Sequence, residues 1–306
     1  MTRPKAILQT LGILVLVSLG HVLAKFALTD IAPFTLAWVS VGIGMMALGT
    51  YTFVIRREPI PRGLGRQVWI YIILIGILNF AVARIVFTLS LERLTATTNI
   101  YLLNFVGFVT MGMSIFILKE TPTIFQIIGA GVAFAGLRVF FDELPSSYEL
   151  VGVIFVVIGV IAIGYTNNIA RKVAIITDMK LSNNVLSSLA ILIGGTIAVL
   201  SGIIFDWPPR IVGWRTWGIA LYMGIVTTAF TMTVWNYILR TLRSYEASIL
   251  GASTVIWTAL LAIPILGEQL SFNEVIGIIL MIVGLSLVQV RQGQISQLWQ
   301  RLSQSA

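Results

Sequence analysis

Runs of about 20 apolar residues, each long enough to cross a bilayer as a helix, alternate along the chain with short polar turns. Ten such runs fit, at roughly 7–28, 32–55, 68–90, 94–117, 123–141, 148–169, 184–205, 216–238, 246–265 and 271–290. They are continuous and do not alternate polar with apolar, which argues against the strands of a membrane barrel. Turns such as Thr29-Asp30, Thr121-Pro122 and Gly267-Glu268-Gln269 leave little polypeptide outside the membrane. The pattern predicts an all-α integral membrane protein of ten transmembrane helices. The first run follows Arg3 and Lys5 like a signal peptide, yet it continues to about Leu28 and no small-x-small cleavage site follows. It reads as a retained first helix.

A local pattern occurs twice. Leu118-Lys119-Glu120-Thr121 precedes Gly129 and Gly136, and Leu266-Gly267-Glu268-Gln269 precedes Gly277 and Gly284. Both copies place glycine nine residues after glutamate (129 − 120 and 277 − 268) and again seven later, and the copies lie 148 apart (268 − 120). The chain therefore divides near Pro145 into a first repeat, 1–145, and a second, 146–290, of five helices each. Five is odd, so the second repeat enters the membrane from the opposite side, and the halves are inverted. Doubled units of this kind build many secondary transporters, with the ligand between the halves. Glu120 and Glu268 read as structural turns that cap the helices after them. The paired glycines keep one helix face narrow for close packing, and contact in a homodimer is their alternative use. The remainder, 291–306, places Ile295, Leu298, Trp299 and Leu302 at i, i+3, i+4, i+7, as in an amphipathic helix on the cytoplasmic surface.

Composition agrees. The chain is 58% hydrophobic and 10% charged, against about 25% charged in soluble domains. With the N-terminus inside, fourteen Lys and Arg fall on the inner side (Arg3, Lys5, Arg56, Arg57, Arg62, Arg66, Lys119, Arg171, Lys172, Lys180, Arg240, Arg243, Arg291, Arg301). Four fall outside (Arg93, Arg138, Arg210, Arg215), so both termini are expected in the cytoplasm and the protein in an inner membrane. The net charge of +8 forms no continuous patch, which excludes nucleic acid as a partner. One histidine and no cysteine leave no usual metal cluster, and no phosphate-binding loop motif is present. No cofactor is expected.

The residues now resemble a known family. The chain is similar, over essentially its whole length, to the EamA-type transporters of the drug/metabolite transporter superfamily. The second half carries the family's pattern from Leu242 through Ala247 to Leu266-Gly267-Glu268, Gly277 and Gly284, while the first has Lys119 where glycine is usual. The resemblance implies ten helices with both termini inside, a central cavity and alternating access. Its members move amino acids, other small metabolites or drugs, and some relatives carry nucleotide-linked or phosphorylated sugars.

Ionisable groups inside the helices need a reason, since each costs about 2.5–3.5 kcal/mol near the bilayer centre on insertion scales. Arg84, in the third run, has a planar fork suited to carboxylate or phosphate; snorkelling or pairing with Glu92 is the bland alternative. His21 and Lys25 share one face of the first run. His21 could couple transport to protons or pack as a hydrogen-bonded side chain, and Lys25 could snorkel. Tyr101 and Asn104 in the fourth run, and Ser253 and Trp257 in the ninth, form polar-aromatic stripes read as cavity lining. Asn168 and Trp235 extend that lining. No Asp or Glu sits near the middle of any run, so anionic or zwitterionic solutes suit the cavity better than lipophilic cations. The expected function is export of a small metabolite such as an amino acid or a similar zwitterionic or anionic solute; carriers of phosphorylated or nucleotide-linked sugars, and a non-transporting sensor or intramembrane enzyme, are the alternatives.

Overall fold

The computed structural model describes residues 3–119, 121–141, 143, 145–238 and 250–288. Glu120, the motif residues Leu242 and Ala247, and the expected tail helix at 291–306 lie outside the described residues. Every regular element among the described residues is helical. Seven helices are long and apolar enough to cross a membrane: α1 (Ile7–Ala27), α2 (Pro33–Ile55), α3 (Arg66–Arg93), α4 (Ala96–Ile117), α6 (Ser147–Ile176), α7 (Asn183–Phe205) and α8 (Gly213–Trp235). Three shorter apolar helices are also present among the described residues: α5 (Ile124–Phe140), α9 (Leu250–Leu266) and α10 (Phe272–Val288). Each overlies one of the apolar runs read from the sequence. The protein is a multi-pass membrane protein.

Helix starts are encoded locally, and some starts are duplicated. At α5 the Thr123 hydroxyl accepts from the Gln126 N–H while the Gln126 side chain accepts from the Thr123 N–H. At α10, 148 residues on (271 − 123), Ser271 and Glu274 make the same reciprocal pair. Such a box satisfies two of the N–H groups that a helix start leaves free.

The repeats interlock through backbone contacts that only glycine permits. A Cβ on Gly129 would lie 2.5 Å from the Gly284 carbonyl oxygen, and one on Gly284 would lie 2.5 Å from that of Gly129. Gly136 and Gly277 face each other likewise, at 3.1 and 2.9 Å. Since 129 meets 284 and 136 meets 277, α5 and α10 run antiparallel. The repeated glycines thus bind the fifth helix of one repeat to the fifth of the other. The second helices do the same: Gly202 of α7 abuts Trp38 of α2, and Gly195 abuts Met45 and Val41.

That second pair is fastened at both ends. Asp206, just past α7, accepts from the Thr35 hydroxyl (2.6 Å) and the Trp38 indole N–H (2.8 Å) at the start of α2. Glu58, just past α2, accepts from the Ser182 hydroxyl (2.6 Å) and the Asn184 amide (2.8 Å) at the start of α7. The two carboxylates occupy equivalent places, 148 apart (206 − 58).

Helical continuity breaks at matching points in both repeats. α3 becomes π-helical over Gly76–Ala83 and α8 over Met223–Phe230. The wider turns accompany close approach: Gly76 lies against Ala190 and Gly194 of α7, and Gly224, 148 residues on (224 − 76), lies against Ile43 and Ser40 of α2. In α8 the Thr228 and Thr231 hydroxyls donate to carbonyls five residues back, Met223 and Val226 (both 2.9 Å). α4 is interrupted at Asn104 and Phe105, and α9 at Ser253. π-turns of this kind frequently mark functional sites.

Candidate functional site

Arg84 follows directly on the π-turn of α3, which sets the direction of its side chain into the protein. One guanidinium nitrogen, Nη2, donates to the Ser40 hydroxyl of α2 at 3.4 Å, a long bond, and Ser40 in turn donates to the Ala37 carbonyl. Nε is enclosed and has no hydrogen-bond partner. Among the described residues Arg84 makes no ion pair, and Glu92, its expected bland partner, pairs with Arg93 instead (2.8 Å). His21 of α1 is within electrostatic range of Arg84, and its Nδ1 sits 3.3 Å from the Val17 carbonyl of its own helix. Basic side chains from α1 and α3 and a hydroxyl from α2 therefore lie in one region, and among the described residues no carboxylate pairs with Arg84. A planar fork with unused donors is complementary to a carboxylate or phosphate oxygen pair.

One end of this region is tied together by contacts within the first repeat and across to the second. Lys25 donates to the Leu91 carbonyl at 2.5 Å and the Glu92 carbonyl at 3.3 Å, tying α1 to the end of α3. A cation there satisfies terminal carbonyls and the negative end of the helix dipole. Glu268 accepts from the Ala96 N–H (2.6 Å), the Thr97 N–H (3.2 Å) and the Thr97 hydroxyl (2.8 Å). Thr95 caps Thr98, so the first turn of α4 has its free N–H groups met. Glu268 thus caps a helix of the other repeat, and not α10 after it, whose capping carboxylate is Glu274. Replacing Glu268 by alanine strands these three donors. A loss of about 1–2 kcal/mol is expected, read as a thermal midpoint several degrees lower in detergent, with Glu268→Gln falling between; an unshifted Glu268→Ala would contradict the cap.

The other expected lining residues divide. Tyr101 is fully enclosed, stacked on Phe140 with ring centroids 3.9 Å apart, and its hydroxyl points to the Gly277 carbonyl (3.4 Å). It packs the seam of α4, α5 and α10 and does not face open volume. Asn168 is likewise buried, donating to Thr110 O (2.9 Å) and Gly164 O (3.0 Å) and so joining α6 to α4. Lys25 is engaged as described. These three share one feature: each finds a backbone carbonyl or ring across a helix contact, which periodicity cannot reveal. Asn104 caps the break in α4 through Ile100 O (2.8 Å). Ser253 sits at the break in α9, where it donates to Leu250 O (2.6 Å) and accepts from the Trp257 indole (3.2 Å). Ser18 of α1 donates to the Thr254 carbonyl (3.1 Å), linking the first helix to that break. Trp235 of α8 lies beside Gly251. Ser40 was missed by the sequence reading: a lone serine among apolar residues carries no signal until its neighbour in space is known.

Comparison with known proteins fits this arrangement. A model of the EamA-like transporter family matches residues 4–142 and again 150–290, nearly the whole chain. The chain belongs to the EamA-like transporter family. As an EamA-like protein it is a transporter of small solutes of the drug/metabolite type, not an enzyme family member. Among solved structures it is similar to the crystal structure of a protein with 17% identity and a TM-score of 0.66, covering 94% of this chain and 99% of that one. At that identity the likeness establishes the fold of this EamA-like chain alone. No match is found among curated proteins.

Proposed function

We propose that this protein exports a small anionic or zwitterionic metabolite of the amino-acid type by alternating access across an inner membrane. The halves are 1–145 and 146–290, each of five crossings and inverted relative to the other, with both termini and the 291–306 tail cytoplasmic. The antiparallel seams α5–α10 and α2–α7 support the inversion, and the lysine and arginine distribution supports the orientation. The observation that carries the solute class is Arg84, a half-buried guanidinium with an enclosed, unpartnered Nε and no ion pair among the described residues. An uncompensated charge of this kind is costly, so a ligand anion is its natural partner. His21, Asn104, Ser253, Trp257 and Trp235 line the path beyond it. Exchange or facilitated diffusion drives the movement.

A second reading rests on His21 beside Arg84: two basic groups would also suit a phosphate, as on a phosphorylated sugar. Reconstitution into liposomes, with labelled amino acids, phosphorylated sugars and organic cations as competitors, separates the two. Saturable amino-acid uptake inhibited by none of the phosphates is expected, and uptake of cations alone would end the anion-site idea.

The inversion has its own test. The chain contains no cysteine, so single cysteines placed at Pro122 and Gln269 report without background. Membrane-impermeant reagent is expected to label them from opposite sides. Labelling from one side would refute the inverted arrangement.

A further inference from the structure

A cavity of about 800 Å³ opens between α4, α5 and α6, apart from the Arg84 region. It exists because its neighbours lean elsewhere. The glycine seam draws α5 toward α10, whereas Gly152 and Gly159 draw α6 onto Leu94 and Phe87 of the first repeat. The cleft left between them is walled by Phe105, Phe134, Leu137, Val153 and Val157. Phe134 and Val157 are 57% and 47% exposed, and in a multi-pass membrane protein that outward surface faces hydrocarbon. Among the described residues, charge occurs in the lining only at Arg138 and Glu143, near the α5–α6 connection. Arg138 uses Nη1 on the Phe141 carbonyl (3.0 Å) and makes no ion pair among the described residues. The volume lies within the range of about 300–1,000 Å³ typical of ligand pockets.

We propose that this cleft is a phospholipid site: one acyl chain lies along the apolar walls, Arg138 meets the phosphate and Glu143 the ammonium of a zwitterionic headgroup such as phosphatidylethanolamine. Acyl chains are as apolar as the leucine they would replace, so the cleft alone confers little preference. Selectivity comes from the charged rim. A cation and an anion on the lining of one cleft match a headgroup carrying both charges better than one carrying phosphate alone.

Native mass spectrometry of the purified full chain, titrated with chain-matched phosphatidylethanolamine, phosphatidylglycerol and diacylglycerol, tests this without reference to transport. Phosphatidylethanolamine should be retained over diacylglycerol by roughly fivefold, the scale of one charge-assisted contact at an exposed site. Arg138→Ala should abolish that preference, and Glu143→Gln should make the two phospholipids equal. Val153→Trp should fill the cleft and lower retention, whereas Ile279→Trp, on the outward face of α10, should not. Equal retention of all three lipids, or an Arg138→Ala protein that binds like the parent, would show ordinary solvating lipid and overturn the site. Because no step reads solute movement, the result stands whether or not the Arg84 assignment does.

Discussion

Arg84→Met is expected to abolish solute uptake while raising the thermal midpoint of the ligand-free protein. The two effects have one cause. In the absence of solute the guanidinium is held against a single long bond to Ser40, with Nε enclosed and unsatisfied. Exchanging a buried, poorly compensated charge for an apolar side chain of similar volume is neutral or stabilising by about 1–4 kcal/mol. The bound state loses a charge-assisted, two-pronged contact of about 1.5–3 kcal/mol, roughly 10- to 150-fold in affinity. Arg84→Lys keeps the charge without the fork and should retain intermediate uptake. Melting curves and liposome uptake, measured on the same preparations, supply both readouts. A variant that transports normally would remove Arg84 from the site, and one that melts earlier than the parent would mean the guanidinium already has a partner.

Gly194→Ala should cost more than the same substitution at any other described glycine. Its Cβ would fall 1.9 Å from the Gly76 carbonyl oxygen and 2.4 Å from the carbonyl carbon. Both are backbone atoms, so no rotamer change relieves the clash; α3 and α7 must part by about 1 Å, and overpacking of that kind typically costs about 1–3 kcal/mol or more. Alanine gains about 1 kcal/mol in helix propensity over glycine, which offsets only part of the strain. Gly12→Ala in α1 is the counterpart: nothing lies within 4 Å of its Cβ, so the propensity gain should appear undiminished. Thermal denaturation in detergent should therefore move in opposite directions for the two alanines, down by several degrees at 194 and level or up at 12. Equal midpoints would mean that the close approach of α3 and α7 is not maintained.

The large features of this fold are written in long, continuous apolar runs, and those were legible. So was the duplication, because the Glu120 and Glu268 segments keep the same glycine spacing. The same 148-residue offset also relates Glu58 to Asp206, Gly76 to Gly224 and Thr123 to Ser271, and could have been found by the same arithmetic. What those carboxylates bind was not legible. Glu268 sits beside the start of α10 in sequence yet caps α4, 172 residues away. The π-turns were hidden for a different reason: their residues have ordinary helical preferences, and the extra residue per turn is imposed by the glycine contact with a neighbouring helix. Arg84 stands out as a candidate in the sequence because its cost in hydrocarbon is intrinsic to the residue. The helix contacts of Tyr101 and Asn168 were not legible, because a polar stripe looks the same from the sequence whether it faces water or a partner helix.

The paired fastenings at Glu58 and Asp206 bear on how the molecule can move. With α2 and α7 pinned together near both surfaces of the membrane, prying them apart cannot open a passage at either surface. They form a stationary mast. Any working stroke has to be taken up by the segments that lean on it, and α3 and α8 touch it at the very turns where their winding is loosest.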